Sequence, residues 1–385
     1  MYGSDRKGII MQKYDVGAYI WPSYSGDDLR SRIFWPEGYG EWQTVKAAQA
    51  KFEGHKWPRK PLWGYVNEGD PYVMEMQIEA AVRHGVNVFI YDWYWYDNRP
   101  FLENCLNDGF LKAANNKKMK FFLMYANHSV GSIWDKRTAG TPYLLWDGKV
   151  NLDQFRTICQ RWLDNYFCLD NYYKIDGKPV VSIYQITTFI KGFGGIEGTK
   201  KALNMLQEMA KERGHKGVHV QLITSKWLEK LVKDDLTGTG DGGSDITVEQ
   251  VKTLGFDSIT NYQYLDMVAD FNKDYETLIP ELQGIWKDYA ESYKGAMYCP
   301  HVSVGWDNNP RYNTFRPIIS QNNTPENFEK HLRAVKKFTA EHRNAYPLIT
   351  INSWNEWTET SYLEPDDLNG YGMLEAVKKV FVDEE

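Results

Sequence analysis

The 385-residue sequence predicts a single (β/α)8 barrel, on three observations. Eight short apolar or β-rich runs are spread along its length. Amphipathic helix patterns lie between them, the last one closing the chain. Polar and aromatic residues gather just after the runs, at what would be one end of a parallel sheet. A doubly wound open sheet is the competing architecture. It usually needs fewer strands and often carries a glycine-rich first turn, whereas the first run here ends in "YIWPSYSGDD" with no G-x-G-x-x-G.

The first four runs are "DVGAYIWP" (15–22), "VNVFIYDWYW" (86–95), "KFFLMYAN" (120–127) and "PVVSIYQI" (179–186). "VHVQLITS" (218–225), "SITNYQY" (258–264), "MYCPHVSVGWD" (297–307) and "LITINSW" (348–354) complete the set. Most are almost continuously apolar, as strands buried on both faces should be. Helix signals alternate with them. In "DPYVMEMQIEAAVRHG", Asp70 caps, Pro71 takes the first turn, Met74, Ile78, Ala81 and Val82 form a stripe, and Gly85 stops the helix. "LNMLQEMAKERG" repeats the logic with Leu203, Leu206, Met209, Ala210 and the stop Gly214. "TPENFEKHLRAVKKFTAEH" opens on Thr324 and Pro325 and carries Phe328, Leu332, Val335 and Phe338 on one face. "GMLEAVKKVFV" ends the chain with Leu374, Val377, Val380 and Phe381. Residues 1–14 read as a poorly ordered tail and 15–385 as one domain. Residues 23–70 and 127–178 read as long loops over the top of the barrel, and Asp234–Asp245 as a plain loop whose acid spacing does not fit a calcium-binding hand.

Composition narrows the function. A net charge of −6 carries no nucleic-acid footprint, and no apolar run approaches membrane-spanning length. Fifteen Trp and 26 Tyr supply many flat apolar faces, which suit stacking on ligands. Cys105, Cys159, Cys168 and Cys299 lack metal-type spacing and read as buried thiols, and the scattered His residues offer no metal site. Neither a cofactor nor a metal is expected. The opening "MYGSDRKGIIMQKY" lacks the apolar stretch of a signal peptide, so the expected compartment is the cytoplasm, or the periplasm or exterior if a signal was removed earlier.

Barrel active sites are built at the C-terminal ends of the strands. Those ends offer Tyr19 and Trp21; Asp92, Trp93 and Trp95; Asn127 and His128; Tyr184 and Gln185; and Asn261, Tyr262 and Gln263. The last two add Trp306, Asp307 and Arg311, then Trp354, Asn355, Glu356 and Glu359. Hydroxyl-rimmed ligands with apolar faces need such a mixture. Taken singly, Trp21 or Trp93 also fits a core and His128 a structural role. Glu356 and Glu359 stand three apart just beyond a strand, where a helical turn would bring both carboxylates to one side. Two such acids are the minimum for glycoside cleavage, and an acidic surface turn is the bland alternative. Glu364 reads as a loop-ordering residue.

At these residues the chain resembles a known family. "WNEWTETSYLEP" is similar to the W-N-E-W-x-E-x-x-x-x-E-P signature of the WbsX-like proteins, relatives of the family 99 endo-α-mannosidases. "YYKIDGKPVVSIYQ", "GWDNNPR" and "FFLMYANHSVGSIWD" resemble the same family at the fourth, seventh and third strands. The resemblance implies a retaining glycoside hydrolase for α-linked, mannose-type or related glycans. It implies that Glu356 assists attack by the sugar's own 2-hydroxyl through a 1,2-anhydro intermediate, and that Glu359 is the acid and then the base. Thr358 departs from the mannosidases, which carry His there, and puts that substrate in doubt. WbsX-like proteins are often labelled glycosyltransferases; this chain shows neither a glycine-rich phosphate loop nor a D-x-D metal clamp. A non-catalytic carbohydrate-binding barrel is the third reading. The expected partner is an oligosaccharide or polysaccharide bound by a monomer.

Overall fold

The computed structural model describes residues 14–226, 228, 247–293 and 295–384. Most of the proposed tail and the loop Asp234–Asp245 lie outside the described residues. Tyr14, at the edge of that tail, is buried with its ring 6.0 Å from Phe381.

Nine parallel strand segments form the barrel: β1 (Asp15–Ile20), β2 (Val88–Tyr96), β3 (Lys120–Tyr125), β4 (Lys178–Ile183), β5 (His219–Ile223), β6 (Ser258–Thr260), β7 (Met297–Tyr298), β8 (His301–Ser303) and β9 (Leu348–Asn352). Their spatial order is β7-β6-β5-β4-β3-β2-β1-β9-β8. The two ends of that path, β7 and β8, belong to one run of chain, so the ring closes through Cys299 and Pro300. Pro300 has no N–H to donate, which interrupts the run, but its carbonyl still accepts from Thr350 at 2.9 Å. The eight predicted runs are thus the eight staves.

Helices clothe the outside. They include α1 (Pro71–Arg83), α2 (Leu152–Trp162), α3 (Ile196–Glu212), α4 (Ile279–Ser292), α5 (Pro325–Glu341) and α6 (Gly372–Phe381). Asp70 caps α1 by accepting from the Tyr72 N–H at 2.9 Å, and Gly85 turns the chain out of it at φ 89°. Thr324 caps α5 in the same way, through the Asn327 N–H at 3.3 Å. Helix α2 and two short hairpins occupy part of the stretch read as a long loop over residues 127–178. Three cysteines are buried as expected; Cys168 is exposed, because it follows the end of the α2 segment and leaves the core.

The inside of the barrel is polar. Ser182 donates to Gln221 at 2.6 Å, Thr260 and Thr350 lie 3.0 Å apart, and His301 bridges Thr350 and Ser303. Tyr19 enters this layer, donating to the Asn261 carbonyl at 3.1 Å beneath the ring of Tyr262, 4.8 Å away. It is a plug under the site rather than a sugar platform.

Candidate active site

A cavity of about 760 Å³ opens at the C-terminal mouth of the barrel. The segment after β9 builds one of its walls. Asn355–Glu356 pairs antiparallel with Ser361–Tyr362, and a 3₁₀ turn, Trp357–Glu359, joins them. Thr360 closes the turn in the left-handed region at φ 55°, a costly conformation for a β-branched residue. It is held there by donating to the Asp307 carbonyl at 2.8 Å and accepting from Trp57 Nε1 at 3.0 Å. Trp357 stacks on Tyr362 with centroids 3.9 Å apart. This short hairpin carries Glu356 and Glu359 to the same wall.

Both carboxylates meet one guanidinium. Arg311 Nη1 lies 2.5 Å from Glu359 Oε1, and Nη2 lies 3.1 Å from Glu356 Oε2. Its Nε donates to Thr358 Oγ1 at 2.7 Å and faces Glu41 Oε1 at 3.4 Å. Burial alone would lower the Arg311 pKa; Glu359, Glu41 and Glu356 outweigh it and hold the guanidinium charged. Burial and the neighbouring Glu359 charge push Glu356 well above the usual carboxylate range, with Arg311 opposing. Burial also raises Glu359, and the closer Arg311 contact opposes it. Burial thus favours a proton on this pair of acids, and Arg311 opposes it at both.

Two buried carboxylate oxygens lining this cavity, Asp92 Oδ1 and Glu359 Oε2, have no hydrogen-bond partner among the described residues. Orphaned acceptors of this kind are rare in folded proteins, and these two face a cavity from which a donor can reach them. The hydroxyl of Tyr262 stands 3.1 Å from Asp92 Oδ2 and 3.3 Å from Glu356 Oε1, with one proton to give. Burial holds Asp92 well above the usual carboxylate range. His128 Nδ1 donates to the Ser129 carbonyl at 3.0 Å, and burial lowers its pKa, so the ring is neutral with Nε2 left as an acceptor.

Of the residues expected at the site, Trp21, Asp92, His128, Tyr184, Tyr262, Arg311, Glu356 and Glu359 line the cavity. Gln185 does too, whereas Asn261, Gln263 and eight others do not. Tyr19 lies below, as described. Trp93 and Trp95 alternate with Asp92 and Tyr94 along β2, so they face the helices. Trp93 donates to Glu103 at 2.7 Å there and packs on Trp162. Asn127 clamps β3 to β4, accepting from the Gln185 N–H and donating to its carbonyl, both at 2.8 Å. Trp306 packs on the core. Asp307 supports the Trp357–Glu359 turn from behind, its N–H donating to the Glu359 carbonyl at 2.7 Å and its carboxylate meeting His55 at 2.6 Å. Trp354 faces α1, donating to Gln77 at 3.0 Å. Asn355 fastens the end of β1, accepting from the Trp21 N–H at 2.7 Å and donating to its carbonyl at 2.9 Å.

The cavity also contains residues that the strand ends did not nominate: Tyr94, Trp134, Tyr143 and Tyr312. Tyr94 was available from parity, two residues after Asp92. Trp134, Tyr143 and Tyr312 sit on connections whose paths no local pattern reveals. Glu41 does not line the cavity; it is fully buried beside Arg311 and accepts from Trp21 Nε1, and no strand end nominated it either.

Fold and geometry together define a (β/α)8 barrel with a buried acid pair at its C-terminal mouth. A solved "Glycoside hydrolase-like protein" superposes with a TM-score of 0.62 at 15% identity, covering 96% of this chain and 94% of that one. The GH99 endo-alpha-mannosidase from Bacteroides thetaiotaomicron superposes with a TM-score of 0.57 at 14% identity, covering 96% of each chain. At such identities the likeness is one of fold. The sequence places the chain more closely: the family model described as "Glycosyltransferase WbsX" matches residues 29–377, and the chain belongs to that family. Two curated relatives called "Uncharacterized protein WxcX", from two strains of Xanthomonas campestris pv. campestris, are 25% identical over 350 residues, which is 90% of this chain and 46% of theirs. The chain thus spans about half the length of the curated relatives it matches.

Proposed function

We propose that this chain is a retaining glycoside hydrolase acting on α-linked, mannose-type or related glycans. The observation that carries the reading is the convergence of Glu356 and Glu359 on one guanidinium inside an aromatic-lined cavity at the barrel mouth. In this mechanism Glu356 takes the proton of the sugar's 2-hydroxyl. That oxygen attacks the anomeric carbon and forms a 1,2-anhydro sugar, while Glu359 protonates the departing glycosidic oxygen. Water then opens the anhydro ring at the anomeric carbon, giving its proton to Glu359 as Glu356 returns one to O2. Two inversions leave the configuration retained. Burial raises the Glu359 carboxyl, which suits the proton this assignment gives it, and the Arg311 contact opposes that rise. A screen of the purified protein against α-linked glycans, with product anomers read by NMR, tests the reading. Retained α-anomers support it; inverted products or none overturn it.

The family's own description favours a second reading, transfer from a sugar nucleotide. Charge weighs against it. Arg311 is the one Lys or Arg among the described residues lining the cavity, and carboxylates already occupy it, whereas a diphosphate needs a free cation or a metal. Turnover is expected to survive a chelator, and calorimetry is expected to show no tight binding of sugar nucleotides. The opposite pair of results would put the transferase first.

The aromatic residues separate into two groups under mutation. Tyr143→Ala, at the half-buried rim, should weaken glycan binding by about 1–3 kcal/mol, by analogy with stacking losses on other ring ligands, with little change in melting temperature. Trp93→Ala should instead cost stability, about 3–5 kcal/mol for a large buried ring, and leave affinity unchanged. Calorimetry and thermal denaturation on the two variants check this.

A further inference from the structure

Behind the cavity wall lies a second pair of buried carboxyls that the reaction above does not use. Glu68 stands just before α1, and Glu364 just after the catalytic hairpin; both are buried. Gln77 of α1 joins them, its Nε2 donating to Glu364 Oε1 at 2.8 Å and to Glu68 Oε1 at 3.2 Å. Its Oε1 accepts from Trp354 Nε1 at 3.0 Å. Asn355 Nδ2 reaches both oxygens of Glu68, at 3.1 and 3.0 Å. Trp357 Nε1 donates to Glu364 Oε2 at 2.6 Å. The residues on both sides of Glu356 are therefore held from behind by these two acids and one amide.

No cation among the described residues pairs with either acid. The titratable groups facing them are Cys105, 3.7 Å from Glu68 on the segment after β2, Tyr91 of β2, and Tyr24 from the β1 connection, which in turn faces Glu41. Arg59, Tyr362 and Asp366 share a small pocket with Glu364, where Arg59 pairs with Asp366 at 3.6 Å and with neither acid. Two buried carboxyls bridged by one amide group and without a counter-ion cannot both ionise cheaply, so a proton on one of them relieves the pair.

We propose that Glu68 and Glu364 are positioning residues that share one proton and hold Glu356 in its reactive place through Asn355 and Trp357. The inference rests on the role given to Glu356 above. Burial pushes Glu68 up to about 7 and Glu364 well above the usual range, so the shared proton is lost as pH rises from neutrality. Two charges then repel across Gln77, and the anchors of Asn355 and Trp357 loosen. The sign follows: a carboxyl whose pKa is raised on folding stabilises fully below its unfolded value and loses that contribution as pH rises through its folded value.

The test needs no substrate at its first stage. In the ¹⁵N–¹H spectrum of the full chain, the indole N–H signals of Trp354 and Trp357 should shift together as pH rises from 6 to 9. In Glu364→Gln, and in Glu68→Gln as a second variant, an amide replaces the protonated acid, so the joint shift should vanish. The alkaline fall in melting temperature should shrink with it. Indole signals that ignore pH in the native chain, or that titrate unchanged in both variants, overturn the proposal. At the second stage, on a glycan from the screen, Glu364→Ala should lower kcat on the order of 100-fold with KM little changed, as expected for a displaced reacting group. Glu364→Gln should rescue kcat and move the alkaline limb of its pH profile upward. A limb that stays in place overturns the link to Glu356. An indole titration that behaves as described while no glycan is cleaved would refute the hydrolase reading and leave the shared proton standing.

Discussion

Glu359→Gln is expected to lower turnover of glycans with poor leaving groups by about 10²–10⁴-fold, the usual worth of a positioned general acid. Substrates whose leaving group departs without a proton should be spared. Glu356→Gln should cripple both kinds alike, because it acts on the attack step that every substrate shares. The contrast matters here because the two groups are so nearly equivalent in this cavity: both are buried, both touch Arg311, and burial raises both pKa values. Steady-state rates on paired substrates of high and low leaving-group pKa decide the assignment. If the leaving-group dependence appears in Glu356→Gln instead, the two roles exchange. If both variants keep native rates, the pair is structural.

Arg311→Met should be the most destabilising substitution at the site, by about 3–5 kcal/mol, because it leaves Glu41, Glu356 and Glu359 buried without their cation. The loss should depend on pH. Glu356 and Glu359 already have raised pKa values in the folded chain, and removing the guanidinium raises them further. Groups of this kind favour the folded state when protonated, so the variant should recover stability as pH falls from 8 toward 5. Denaturant melts at the two pH values measure it. A loss independent of pH would mean that the guanidinium serves packing more than charge.

The eight staves were legible because a strand buried on both faces needs a continuous apolar run, and that is a property of adjacent residues. The acid pair was legible for a similar reason. A three-residue spacing beyond a strand implies a turn, and Trp357–Glu359 forms one. The aromatic wall was less legible. Reading Asp92, Trp93 and Trp95 as one group ignored the alternation of β2, which turns Trp93 toward Glu103 and Tyr94 toward the cavity. Trp354 and Glu356 have the same parity yet face different ways, because β9 ends at Asn352 and a new hairpin begins at Asn355.

What the sequence alone determined was local: which runs become strands, where Asp70 and Thr324 start helices, and that two glutamates would sit together at the end of the last strand. The tertiary structure decided which side chains share the cavity. Asn355 finds Glu68 across 287 residues of chain, and Glu356 finds Arg311 across 45. Strand and helix periods repeat every two or 3.6 residues, so their signal fades within a single element. A barrel mouth is assembled by loops from separate staves, and their paths depend on what each meets when the ring closes. The partners of Glu356, Glu359 and the buried acids behind them are therefore settled by packing across the whole barrel, which a short-range pattern does not encode.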